Sequence, residues 1–340
     1  MNKLLSACTS SCGLKLLIVA AVALLCCKAA ASQAKHNGQE VRESARRAVE
    51  YVAHAEADWI ASQKCVSCHH TAFAVWSLKA AKERKIPIDE GKLQEWTGWV
   101  ADWGNLMAPS VRAEAVRGTT TSNQCDTVAQ ILLAGSAGNA KAKQPVWFVQ
   151  YVSDLRDAQE KDGSWRSGGQ LPSQKRSKRE TQEVSTMWSL LALEASHEKT
   201  TGAALERARL WLGEQTTGQS TEWWATRYLL ERRLGSRAKS KYLGDELLKR
   251  QHEDGGWGWL CADESDALGT GMALFALNEN ASRNAGAISR ARRFLLRTQN
   301  ADGSWPVRGT KENKKNSIQP TATFWGTCWA VIGLCATIER

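Results

Sequence analysis

A glutamine with aspartate at +3, glycine at +4 and tryptophan at +6 occurs three times in this 340-residue chain. The copies are DAQEKDGSW (157–165), KRQHEDGGW (249–257) and RTQNADGSWP (297–306). Each glutamine also has leucine four residues before it: Leu155 before Gln159, Leu247 before Gln251, Leu295 before Gln299. A unit recurring in this way is the mark of a repeat architecture. Upstream apolar positions such as Phe148, Tyr151, Leu155 and Ile288, Ala291, Leu295 keep helical spacing, so each glutamine falls at a helix C-terminus. Asp-Gly then supplies the turn, because glycine tolerates the positive φ that stops a helix.

A second helix follows every turn. The strings HTAFAVWSLKAA (70–81), CDTVAQILLAG (125–135), EVSTMWSLLALEA (183–195), EWWATRYLLER (222–232), ALGTGMALFAL (267–277) and ATFWGTCWAVIGL (322–334) are apolar on most sides and rich in small residues. Helices of that kind are buried. The helices before them, such as ARRAVEYVAHAEADWI (45–60) and ALERARLWLGEQ (204–215), carry charge on one side and read as an outer layer. The spacing predicts six helix pairs, 45–84, 89–135, 143–196, 200–234, 238–278 and 283–338, with no alternating strand pattern. The expected fold class is all-α: an α/α toroid of inner and outer rings, one domain over 38–340. A helical solenoid that stays open is the alternative.

The triplets Gln159/Gly163/Trp165, Gln251/Gly255/Trp257 and Gln299/Gly303/Trp305 resemble the QW motif of the squalene–hopene cyclase and protein prenyltransferase repeat superfamily. The resemblance covers residues 140–340 well and 40–140 weakly. It implies that glutamine and tryptophan tie the end of an outer helix to the next inner helix, and that a central cavity receives an isoprenoid or lipid. Triterpene cyclases place an Asp-rich acid near an inner-helix start, and Asp263 and Asp266 stand there. Gly269 occupies the place of a second acid, and Cys261-Ala262-Asp263 reverses the prenyltransferase order with no histidine after His252. Asp263 and Asp266 are thus catalytic candidates whose alternative is to cap the next helix.

The first repeat departs from the pattern. After Gln63 the turn reads KCVSCHH, with Cys65 at +2, Cys68 at +5 and His69 at +6. C-x-x-C-H is the attachment signature of haem c: Cys65 and Cys68 would hold the vinyl groups and His69 the iron. Met107, Met187, Met272 and His54 are the candidates for a second axial ligand. A zinc site is the alternative, with Cys65, Cys68 and His69 or His70 as ligands and Cys125 as a fourth. A Cys65–Cys68 disulfide or a plain thiol turn is the third reading.

Residues 1–31 read as a signal peptide, with Lys3 and Lys15, the apolar run LLIVAAVALLCC (16–27) and a small-residue site after Ala31. The protein is then exported, periplasmic or secreted; an uncleaved membrane anchor is the alternative. Six cysteines remain beyond that segment, too few for a disulfide-stapled scaffold. Of the 16 tryptophans, Trp165, Trp257 and Trp305 belong to turns. Trp76, Trp188 and Trp329 recur at one inner-helix position, as helix-to-helix packing would require. Trp223, Trp224 and Trp325 stand near inner-helix starts, where they could line a cavity. Two basic loops, RSGGQLPSQKRSKRE (166–180) and RGTKENKKNS (308–317), occupy equivalent places in a chain of formal charge +10. On one rim they would face an anionic surface or glycan. No nucleic-acid module is found, and the chain is expected to be a monomer. The sequence reads as an exported toroid protein whose C-x-x-C-H site binds haem or metal in a redox or accessory role. The alternatives are a terpene-cyclase-like enzyme using the central cavity and a cofactor-free interaction scaffold.

Overall fold

The computed structural model describes residues 38–66, 70–107, 109, 124–136, 144–168, 173–213 and 218–339. The proposed signal peptide lies outside them, as do Cys68 and His69. Helix α1 covers residues 38–63. It is followed by α2 (Thr71–Glu83), α3 (Glu90–Ala101), α4 (Gln124–Ser136), α5 (Val146–Asp157), α6 (Lys178–Ala195), α7 (Gly202–Leu212), α8 (Thr221–Arg233), α9 (Arg237–Lys249), α10 (Ala267–Leu277), α11 (Ala281–Thr298) and α12 (Pro320–Ala336). Among the described residues there is no strand, only isolated bridges between loops. No described helix is long and apolar enough to cross a membrane.

The even-numbered helices form the inner ring. Each packs on the next, α2 on α4, then α6, α8, α10 and α12, and α12 returns to α2. The open-solenoid alternative is therefore set aside. The odd-numbered helices lie outside their inner partners, and the six pairs match the predicted ones. α12 buries residues all round its circumference, whereas α11 buries only one stripe, Asn284, Ala287, Ile288, Ala291, Phe294 and Leu295. The difference is that between a helix enclosed on every side and one facing water. Gly271 and Gly333 bring α10 and α12 backbone to backbone; a Cβ on Gly333 would stand 2.6 Å from the Gly271 carbonyl oxygen.

The glutamine clasps make the ring, though by a connection different from the one the resemblance implies. Gln159 Nε2 donates to Gly163 O (2.9 Å) in its own turn and to Ala204 O (2.8 Å) on α7, the next outer helix. Gln251 does the same to Gly255 O and to Ala287 O on α11. Gln299 reaches Gly303 O and, across 255 residues, Ser44 O on α1. An arginine one turn further on, Arg207, Arg290 or Arg47, donates to the glutamine Oε1. The glutamine thus joins outer helix to outer helix, and the last copy closes the toroid. The tryptophan makes the inward tie. Its indole N–H donates to the leucine carbonyl ten residues back, 2.7 Å for Trp165 to Leu155, and its backbone N–H donates to a threonine of the inner helix: Thr186, Thr270 or Thr327. Gly163, Gly255 and Gly303 have φ of 95, 92 and 89°. Each lies against an arginine carbonyl of the next outer helix, where a side chain would collide.

The centre of the ring is filled. Trp76, Trp188, Phe275 and Trp329 meet there, with Trp329 5.4 Å from Trp76, 5.7 Å from Trp188 and 5.9 Å from Phe275 between ring centroids. The recurring inner-helix tryptophans converge on one another as packing partners. This aromatic plug corrects the expectation of an isoprenoid- or lipid-filled cavity on the axis.

Candidate functional site

Every inner helix follows an outer helix and a turn, so all six begin at the same end of the toroid. That end, the mouth, collects polar side chains above the aromatic plug. Glu222, at the start of α8, accepts from Trp188 Nε1 (2.9 Å) and from Arg176 Nη1 (2.8 Å). Arg176 also donates to Ser220 Oγ and Thr181 Oγ1, and its guanidinium lies 5.2 Å from the Trp259 ring centre. Glu180 accepts from the backbone N–H groups of Gln219 and Ser220, and Glu183 from Trp223 Nε1. Trp224 Nε1 donates to Gly218 O. Trp223, Trp224 and Trp325 are buried in this layer as core.

Asp126, at the start of α4, stands in the same layer. Burial raises its pKa to about 7, helped by the Glu222 carboxylate and opposed by a hydrogen bond from Ser185, the Arg176 charge and the Gly168 N–H. Its Oδ2 is buried without a hydrogen-bond partner, as is Gln130 Oε1 one turn along the same helix. Buried polar atoms are seldom left unpaired, and the exceptions mark places where a ligand or water completes the pairing. Asp126 is therefore a carboxyl that holds or releases a proton near neutrality. Its neighbour Cys125 is pushed up to about 12 by burial.

The first repeat builds a different environment. His70, just before α2, lies between Trp59 and Phe324, 3.7 and 4.2 Å away by ring centroid and within 14° of parallel. Its Nδ1 is 3.4 Å from Glu56 Oε2. Burial drives the two apart in proton affinity, Glu56 up to about 8 and His70 down to about 3. Both are thereby favoured in their neutral forms. Trp59 Nε1 donates to Cys65 O (3.0 Å). Of the proposed ligand set, Cys65 and His70 thus flank Trp59, Cys125 belongs to the Asp126 layer, and Cys68 and His69 lie outside the described residues. Among the described residues no three metal-binding side chains converge.

Cys68 and His69, two of the three residues of the haem expectation, lie outside the described residues. Beside them Trp59 and Phe324 cover both flat faces of His70. Met187 and Met272 are buried in the ring's core, and His54 bonds to the Glu50 carbonyl at the surface. Asp266 is the N-cap of α10, accepting from Gly269 N (2.7 Å) and Trp259 N (2.9 Å), and burial raises its pKa to about 6. Asp263 pairs with Lys175 at 2.6 Å. The two basic loops do meet on one rim, where Lys175 N–H donates to Thr310 O and Gln174 bridges Lys311. Sequence reasoning passed over Asp126, Glu222 and Glu56. Their only signal was an acid at the start or on the buried face of a helix otherwise apolar.

An α/α toroid with an acidic, arginine-tied mouth is the class this chain defines. Comparison with known proteins places it among similar shapes without naming a family. No family model matches the sequence, and no curated protein matches it. A solved structure from Klebsiella pneumoniae, described as a possible member of the GH105 family, is similar over 88% of this chain and 93% of its own, at 11% identity and a TM-score of 0.54. A possible GH105 member from Salmonella enterica shows 12% identity over 87% and 82% of the two chains, and a polysaccharide lyase shows 11% over 85% and 96%, each at a TM-score of 0.40. These likenesses share the toroid. The similar structure with a TM-score above 0.5 is described as a possible member of the GH105 family, which corrects the cyclase and prenyltransferase recognition and the accessory and isoprenoid roles read with it.

Proposed function

We propose that the protein is a carbohydrate-active enzyme that cleaves a glycosidic linkage at the toroid mouth, with Asp126 as proton donor. One observation carries the reading: the buried, partnerless Oδ2 of Asp126, on a carboxyl whose pKa is raised to about 7 beside the Glu222–Arg176 pair. A group titrating near the working pH is the efficient proton donor for a departing alkoxide. Glu222, fixed by Arg176 and Trp188, holds negative charge next to it. The Glu222 carboxylate raises the pKa of Asp126 and would stabilise positive charge developing on a sugar ring. The GH105 description of the similar toroid makes a glycan the substrate class to test first.

The experiment is a polysaccharide panel assayed for new reducing ends and for unsaturated products. Asp126→Asn should lower kcat by about 10²–10⁴-fold with KM little changed. A proton donor works in its protonated form, so wild-type activity should fall as pH rises through about 7. Full activity in the variant, or no product from any glycan, rejects the reading.

A further inference from the structure

Beside the acid layer three loops, 173–177, 257–266 and 306–318, surround a cleft of about 470 Å³, within the usual range for small-ligand sites. The loops are tied to one another and to themselves. Lys175 N–H donates to Thr310 O, Asp266 N–H to Trp257 O, Gly309 N–H to Ser317 O and Gln319 N–H to Val307 O. The cleft is thus formed before any ligand arrives.

Its charges come in matched pairs. Lys175 faces Asp263 at 2.6 Å, Arg308 faces Glu264 at 3.5 Å, and Lys315 faces Glu312. The remaining carboxyl, Asp266, is engaged by two backbone N–H groups. Between the pairs the wall carries Ser265 and Asn316 and the apolar residues Pro306, which is exposed, and Ile318, which is 60% exposed. A polyanion would meet four carboxyl groups against three cations here, so the loops rich in lysine and arginine do not make a positive collar at this point. A hydroxyl is both donor and acceptor. It can accept from the arginine or lysine of a pair and donate to the carboxylate beside it, while the C–H face of a sugar ring rests on Ile318 and Pro306.

We propose that this cleft binds an uncharged sugar unit of a glycan. It shares a wall with the acid layer, since Lys175 lines the cleft, Arg176 holds Glu222, and both lie over Trp259, at 5.7 and 5.2 Å. The substrate sense of the inference rests on the glycan-cleaving reading, but binding stands without it.

The test is binding of the full chain to an array of neutral and carboxylated oligosaccharides, followed by titration calorimetry on the best neutral ligand. The expected result is binding of neutral glycans that changes less than about three-fold between low and high salt, because paired charges release few counter-ions. Ile318→Asp, at an exposed position, should weaken it at least ten-fold without lowering thermal stability. The double variant Glu264→Gln/Glu312→Gln should gain carboxylated ligands. Preference for carboxylated glycans in the wild type, no neutral ligand on the array, or unchanged binding by Ile318→Asp overturns the proposal. Neutral glycans bound but never cleaved would reject the enzyme reading alone. Cleavage confined to a carboxylated glycan would reject this inference alone.

Discussion

The junction that closes the ring and the junction that follows it are built on opposite principles. At α11 to α12, Gln299, Gly303 and Trp305 join three helices through hydrogen bonds with every donor placed: Gln299 to α1, the Trp305 indole to α11, its backbone N–H to α12. At α1 to α2 the glutamine, Gln63, is exposed, and Lys64 takes the positive φ of 53° where a glycine would sit without strain. The start of α2 has no side-chain cap. Among the described residues this junction is held by aromatic stacking on His70, by the Trp59 indole on the Cys65 carbonyl and by the Val66 N–H on the Asn105 carbonyl. It also leaves Glu56, His70 Nδ1 and Thr71 Oγ1 buried without hydrogen bonds of good geometry. The clasp of the one seam is satisfied, although Ser44 Oγ beside it is not; the other seam leaves atoms of Glu56, His70 and Thr71 unpaired. Unsatisfied groups are a cost to stability, and in folded proteins they gather where the chain serves something besides its fold.

The contrast can be broken most severely at the tryptophan. Trp305 is fully buried, and Trp305→Ala should cost about 3–5 kcal/mol by the lost packing of a large aromatic, read from chemical denaturation. Next in size is the glutamine. Gln299→Ala removes the bonds to the Ser44 carbonyl and from Arg47, whose part-exposed guanidinium keeps Glu43 nearby, and should cost about 1–3 kcal/mol, whereas Gln63→Ala should stay within about 0.5 kcal/mol as an exposed change does. Equal losses for the two would remove the distinction between the seams. A separate test of the contrast is pH dependence. Glu56, raised to about 8 by burial, keeps a proton in the fold that the unfolded chain releases near 4.5. Its stabilisation is complete below that value and lost as pH rises toward 8. His70, lowered to about 3, acts in the opposite direction: its contribution is complete above 6.5 and lost as pH falls toward 3. Glu56→Gln should therefore flatten the alkaline limb of melting temperature against pH and leave the acid limb in place. Asp126 and Asp266, also raised by burial, keep part of the alkaline limb in both proteins, so the difference between the two curves is the quantity to read. An unchanged alkaline limb would mean that Glu56 ionises in the fold.

The helix pairs were legible because each is a local matter of period and punctuation. Leu155, Gln159 and Gly163 lie within one turn and its helix, and their places at a helix end and its turn follow from spacing alone. The tryptophan excess was legible as well, since Trp76, Trp188 and Trp329 repeat at one register. The partners of the clasp were not. Arg207, Arg290 and Arg47 sit on the following outer helix, and nothing in an amphipathic helix marks one surface arginine as the one that meets a glutamine 48, 39 or 252 residues away. The site was hidden for the same reason. Asp126 and Glu222 are single acids in apolar runs, ordinary until Arg176 and Ser185 are seen beside them. The C-x-x-C-H motif drew attention to the right junction, while the residues that make its described part unusual are Glu56, Trp59 and Phe324, none of them in the motif.

By itself the amino-acid order determined that the chain is helical, that the helices come in pairs and that one layer is enclosed and the other wet. Those properties depend on contacts a few residues apart. The tertiary structure alone decided that the ring closes, that tryptophan fills its axis and that carboxyls from distant repeats meet at the mouth. A carboxyl's proton affinity and a cavity's occupancy are set by whatever the fold brings near, and dielectric and packing carry no trace in the sequence positions themselves.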